Sequence, residues 1–175
     1  MNEFSPTYYD VHWYGPFPYD ELSILREEKN LVLYMVAGTH GIYGKNVPLY
    51  IGMTEGGIES RIAQHLHWLS VEPDPPKIYA AAISEMTCWK QIENKESYTP
   101  PDRSIIEDIE SLLIYSHQLV YNIKSKIGLN RYERDFIVFN TGKRSSLYPE
   151  VSTMNWYGDR PEVNFDRGCQ KKDQT

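Results

Sequence analysis

Leu49-Tyr50-Ile51-Gly52-Met53-Thr54, closely followed by the pair Gly56-Gly57, is the stretch on which the reading of this chain turns. Leu49, Ile51 and Met53 alternate with Tyr50 and Gly52. A half-buried strand would turn the first three to a core and set the Tyr50 phenol beside a position with no side chain on the other face. That face is expected to have room for a ligand next to Tyr50. Gly56-Gly57 ends the strand and frees backbone amides at the start of a helix predicted over 58–69. Ile58, Ile62, Leu66 and Leu69 recur at helical spacing as its buried stripe. Arg61 and His65 lie one turn apart beside that stripe.

Working outward, Leu31 to Ala37 is a β-rich apolar run. The turn-rich segment 38–46 joins it to the strand above as a hairpin. Downstream, Pro73, Pro75 and Pro76 mark a loop before a third strand at 77–84. A second Pro-containing loop, 93–102, precedes a helix capped by Asp102 or Ser104. Its apolar stripe is Ile105, Ile106, Ile109, Leu112 and Leu113. Glu110 borders that stripe, whereas Glu107 points away from it. Beyond Asn122 come a short strand at 136–139, the basic turn Thr141-Gly142-Lys143-Arg144 and a polar tail. The Tyr-, Trp- and Pro-rich N-terminal segment reads as a packing arm, an extended turn at 14–18 leading into a short helix capped by Asp20.

The 175 residues suit one domain with a real core, and 41% of them are hydrophobic. Cys88 and Cys169 form no paired motif, which sets aside a disulfide framework and a cysteine zinc site. No apolar run approaches membrane-spanning length, and the first residues lack the pattern of a signal peptide, so a cytoplasmic location and no membrane partner are expected. A net charge of −6 weighs against broad electrostatic binding of nucleic acid. The distribution is uneven, however. Lys124, Lys126, Arg131, Arg134, Lys143 and Arg144 face only Glu133 and Asp135 over 124–144, which leaves a basic nucleic-acid-binding face on an acidic body.

Taken in order, Tyr34, Tyr50-Ile51-Gly52, Arg61, His65, Glu110 and Asn122 resemble the GIY-YIG nuclease family over roughly 31–122. Members carry two tyrosine-bearing strands, a helix with Arg and often His four residues later, and a helix whose Glu binds metal, followed by Asn. The literal string Gly41-Ile42-Tyr43 is present, but it sits in a turn and only six residues separate it from Tyr50. Tyr34 and Tyr43 therefore compete for the place of the first motif tyrosine, and strand position favours Tyr34. The resemblance implies an α/β fold with a small, mostly antiparallel three-stranded central sheet flanked by helices. The whole chain, 1–175, would be one such domain, with a core at 31–122, an arm at 1–30, a basic extension at 123–167 and a tail at 168–175.

The implied activity is endonucleolytic hydrolysis of DNA with one Mg²⁺ or Mn²⁺. Such a reaction requires an activated water and stabilisation of charge on the phosphoryl and leaving oxygens. By resemblance, Glu110 is the metal ligand, and Tyr34 or Tyr50 orients or deprotonates the water. Arg61 matches phosphate with a permanent forked charge. His65 either takes the proton onward or holds Tyr50 by a hydrogen bond. Gly52 and Asn122 support the site. Double-stranded DNA is the expected partner, and a homodimer is the natural arrangement if both strands of a palindrome are cut. A restriction-like or defence role and a structure-specific repair role both suit such a domain. A non-catalytic binding module that keeps the fold is the alternative of a different class.

Overall fold

A computed structural model describes residues 6–26, 28–88, 100–129, 132 and 135–159. The fold is α/β. Six strands, β1 (Thr7–Pro18), β2 (Leu31–His40), β3 (Gly44–Met53), β4 (Lys77–Glu85), β5 (Phe136–Gly142) and β6 (Glu150–Ser152), form one sheet in the order β3-β2-β4-β1-β5-β6. All pairs are antiparallel except β1 with β5. The helices are α1 (Ile58–Ala63), α2 (Leu66–Leu69) and α3 (Arg103–His117). Two 3-10 segments, Tyr19–Leu25 and Thr153–Asp159, complete the described elements.

The expected three-stranded sheet is thus corrected to a mixed six-stranded one. Its antiparallel part β3-β2-β4 comes from the hairpin and third strand seen in the sequence, β5 is the short strand expected at 136–139, and β1 and β6 are new. The N-terminal segment read as an arm is an interior strand of the sheet, paired with β4 on one side and β5 on the other. Tyr9, Val11 and Trp13 alternate into the core, as a strand requires. Pro16 and Pro18 obscure that signal, yet they fall after Trp13, the last residue with a β5 partner, so the missing amides interrupt no ladder on that side. A register shift between Tyr14 and Phe17 absorbs the bend, with Gly15 at φ +123°.

Two apolar layers enclose the sheet. On one face α3 lays Ile106, Ile109, Leu112 and Leu113 against Val11, Trp13, Leu33, Met35, Ile51 and Ala81. On the other, the first 3-10 segment and α1 bring Leu22, Leu25, Ile58 and Ile62 over Tyr34, Val36, Ile78 and Ala80. β4, covered on both faces, is buried without alternation from Ile78 to Ile83, the pattern of an interior strand. The helix predicted over 58–69 is broken, with α1 ending at Ala63 and α2 beginning at Leu66. Asp102 takes the N-cap position of α3 without a side-chain capping bond. The short helix expected to be capped by Asp20 is the 3-10 segment Tyr19–Leu25, which has Pro18 at its N-cap and Asp20 inside its first turn.

Candidate active site

The site forms around the free edge of β3. Backbone groups of residues 49, 51 and 53 point away from β2, and an exposed row of them would be an open template for pairing. Four of them are taken by residues of α3 or the segment after it. Tyr121 N–H donates to Leu49 O at 3.0 Å. The Asn122 side chain makes two bonds to one residue, accepting from Ile51 N–H at 3.0 Å and donating to Ile51 O at 2.8 Å, as a neighbouring strand would. Glu110 Oε1 accepts from Met53 N–H at 3.0 Å. The same contacts that close the sheet edge therefore fix the Glu110 carboxylate at the end of β3.

On the face away from α3, Tyr34 is fully buried and its hydroxyl lies 2.9 Å from His65 Nε2. Its ring stacks against Tyr50 with centroids 5.9 Å apart. Gly52 makes this possible. It pairs opposite Tyr34 in the β2–β3 ladder, and a Cβ there would stand 2.5 Å from the Tyr34 hydroxyl. The space expected for a ligand beside Tyr50 is therefore filled by Tyr34 itself. Tyr50 is only half-buried, and the His65 ring, in the break between α1 and α2, sits 4.7 Å from it. Tyr43, by contrast, is 74% exposed at the hairpin turn and stacks on His40, so Tyr34 is the first-strand tyrosine that meets Tyr50 and His65.

Electrostatics separate the two phenols. Burial raises the Tyr34 pKa far above the ordinary phenol value, and the hydrogen bond with Tyr50 raises it further. Burial also raises Tyr50, but there the hydrogen bond from Tyr34 acts in the opposite sense, favouring the phenolate. Burial lowers the His65 pKa, helped by the charges of Arg61 and His67, so the imidazole is neutral at neutral pH. Arg61 is exposed on α1 with Nη1 2.5 Å from Gln64 Oε1, and its charge acts on Tyr34, Tyr50, His65 and Glu110.

Burial pushes the Glu110 carboxyl up to about 7, against the opposing effects of the Met53 N–H, Arg61 and Lys124. A half-buried carboxylate with one oxygen committed to Met53 and too little positive charge around it is a fitting ligand for a cation. Among the described residues no three His, Cys, Asp or Glu side chains cluster as a multi-ligand site, His65 and His67 included. The donor set therefore fits a cation that takes one protein carboxylate and fills its other positions with water and phosphate, as Mg²⁺ does.

Three residues beside the site carry no signal of their own in the sequence. Trp68, one turn after His65, packs 5.6 Å from that ring and 5.8 Å from Tyr50. Tyr121 lies 4.5 Å from Trp68, and its hydroxyl donates a short hydrogen bond to Glu72. Only the adjacency of Tyr121 to Asn122 could have pointed here.

The basic residues divide. Lys124 is exposed near enough to act on Glu110, and the Lys126 carbonyl accepts from Gln118 Nε2. Lys143 is exposed, but Arg144 turns inward to the Leu147 carbonyl, and Thr141 donates to the buried Asp10 at 2.6 Å. Arg131 and Arg134 lie outside the described residues. Among those described, no helix is long and apolar enough to cross a membrane.

No family model matches the chain, and neither a curated protein nor a solved structure shows detectable similarity to it.

Proposed function

We propose that this protein is a divalent-metal-dependent endonuclease of the GIY-YIG type that hydrolyses phosphodiester bonds of DNA. One observation carries the reading. Tyr34, Tyr50 and His65, the first and last 31 positions apart in sequence, form one contact cluster under the charge of Arg61, at the strand end where Glu110 is fixed.

Glu110 would hold Mg²⁺ or Mn²⁺, which when bound supplies positive charge to the phosphoryl and leaving oxygens. Arg61 grips a non-bridging phosphate oxygen from the other side. Tyr50, the phenol that reaches solvent, meets the attacking water. Tyr34 donates to the Tyr50 oxygen and favours the phenolate that takes the water's proton, while His65, neutral and with its proton on Nε2, donates to Tyr34 and holds it. The Tyr50 phenol first gives its own proton to solvent. Water oxygen then bonds to phosphorus as its proton passes to the Tyr50 phenolate and the bond to the leaving oxygen breaks, and that oxygen takes up a proton from solvent. Tyr34 and His65 are positioning residues, and Tyr50, Arg61 and Glu110 touch the reacting groups. Whether the role is restriction-like, defensive or in repair, and whether the protein works as a homodimer, follow from the substrate and the cutting pattern.

The test is incubation of supercoiled plasmid and a set of duplex, branched and single-stranded oligonucleotides with Mg²⁺ or Mn²⁺, using wild type and Glu110→Ala. Discrete cuts made only by the wild type support the assignment. A folded wild type that leaves every substrate intact refutes it and favours a binding module.

A further inference from the structure

Two isoleucines stand almost wholly in solvent in the segment after Asn122. Ile123 is 86% exposed and Ile127 is 96% exposed. They alternate with cations in Ile123-Lys124-Ser125-Lys126-Ile127. Single exposed aliphatics are ordinary on protein surfaces. Two in one five-residue loop, each next to a lysine, are not explained by scatter, because each forgoes the favourable burial of its whole side chain.

The loop is also fixed at its base. Asn122 is locked onto Ile51, Gln118 Nε2 donates to Lys126 O at 3.2 Å, and Ser125 holds a left-handed φ of +61° that reverses the chain. Ile51 is two residues before Met53, whose N–H is held by Glu110. The apolar tips therefore rise from the same strand edge as Glu110. A polyanion with an apolar interior complements such a surface. Phosphates pair with the lysines, and the base stack receives the isoleucines, as apolar wedges do in proteins that kink duplexes.

We propose that the 123–127 loop inserts Ile123 and Ile127 into the base stack beside the bond to be cut, with Lys124 and Lys126 on the flanking phosphates. The substrate is then a duplex unstacked or kinked next to the scissile phosphate. Trp68 and Tyr121, at the foot of the loop, offer ring surface to a displaced base. The proposal rests on the nuclease reading above and deepens it.

Duplexes carrying 2-aminopurine at successive positions, mixed with protein without divalent metal, report unstacking while the strands stay intact. Saturating wild type is expected to raise the fluorescence severalfold at one or two adjacent positions. Ile123→Ser with Ile127→Ser should abolish that rise and weaken binding at least about tenfold, as losing the burial of two isoleucine side chains implies. Both side chains are in solvent, so this variant should melt as the wild type does, and leucine at both positions should restore the rise. No rise with bound wild type, a rise that persists in the serine variant, or binding of anionic vesicles in place of DNA would overturn the proposal. Cleavage without any rise refutes insertion alone. A rise without cleavage in Mg²⁺ upholds insertion and refutes the nuclease.

Discussion

Gly52 stands directly opposite Tyr34 in the β2–β3 ladder, and the missing side chain is what lets the Tyr34 phenol cross the strand to Tyr50. An alanine at this position would put its Cβ 2.5 Å from the Tyr34 hydroxyl and 2.8 Å from Tyr50 Cε1. Two rings held between strands and helix cannot both yield. Gly52→Ala is expected to cost roughly 1–3 kcal/mol in denaturant unfolding, as overpacking does, and to lose activity by more than that stability loss explains. Wild-type turnover in a stably folded Gly52→Ala would contradict this packing.

The two phenols should not be equivalent. Tyr50 is only half-buried and stacks on Tyr34, whereas Tyr34 is fully buried. Tyr50→Phe removes the group that meets water and should lower single-turnover cleavage by roughly 10²–10⁴, the range for loss of an acid–base group. Tyr34→Phe removes a donor that favours the Tyr50 phenolate. It should cost less at its optimum and move the pH profile to higher pH. Equal losses with unmoved profiles would show that the donor relation is irrelevant.

Glu110 makes the fold less stable when ionised, because burial raises its folded pKa from 4.5 to about 7. With the folded value raised, its contribution to stability is fully present below pH 4.5 and is lost as pH rises through about 7. Glu110→Gln keeps an acceptor for Met53 N–H and removes the titration. Without metal, the variant should be more stable than wild type at pH 8, by up to about 3 kcal/mol from the pKa difference, and nearly equal to it at pH 4.5. Thermal melts at the two pH values check this, and a Glu110→Gln protein that is less stable at pH 8 would contradict it.

The sequence made the hairpin β2–β3, strand β4 and helix α3 legible because each is a local pattern with punctuated ends. Alternation at 49–53, the apolar run at 31–37 and the stripe Ile106, Ile109 and Leu113 need no distant partner to be recognised. β1 was obscured for the opposite reason. Its parallel partner β5 lies more than a hundred residues away, and Pro16 and Pro18 argue locally against a strand. The order of Tyr34, Tyr50, Arg61, His65 and Glu110 was visible in the sequence. What Gly52 does was only half visible, because the absent side chain could be inferred but not the ring that fills its space. Trp68 reaches Tyr121 only after α3 ends at Gln118 in a left-handed turn and the chain returns along β3, a path that no periodicity encodes.

That return path depends on Asn122, whose amide stands in for a seventh strand along Ile51. Asn122→Ala would leave a buried N–H and C=O without partners, at a cost of about 2–4 kcal/mol from two lost bonds and the desolvated groups behind them. Hydrogen exchange at Ile51 should accelerate with it. Protection unchanged at Ile51 would show that the edge is closed some other way.

The most direct measurement is a Mg²⁺ titration of DNA cleavage at several pH values from 5.5 to 8.5, chosen to bracket the Glu110 value of about 7, for wild type and Glu110→Gln. A metal that competes with one proton for Glu110 predicts that half-saturating Mg²⁺ rises about tenfold per unit as pH falls below about 7 in the wild type, with excess metal restoring the rate and Glu110→Gln inert throughout. Cleavage by Glu110→Gln at the wild-type rate, or wild-type cleavage indifferent to Mg²⁺, would contradict a metal held by Glu110 at the edge of β3.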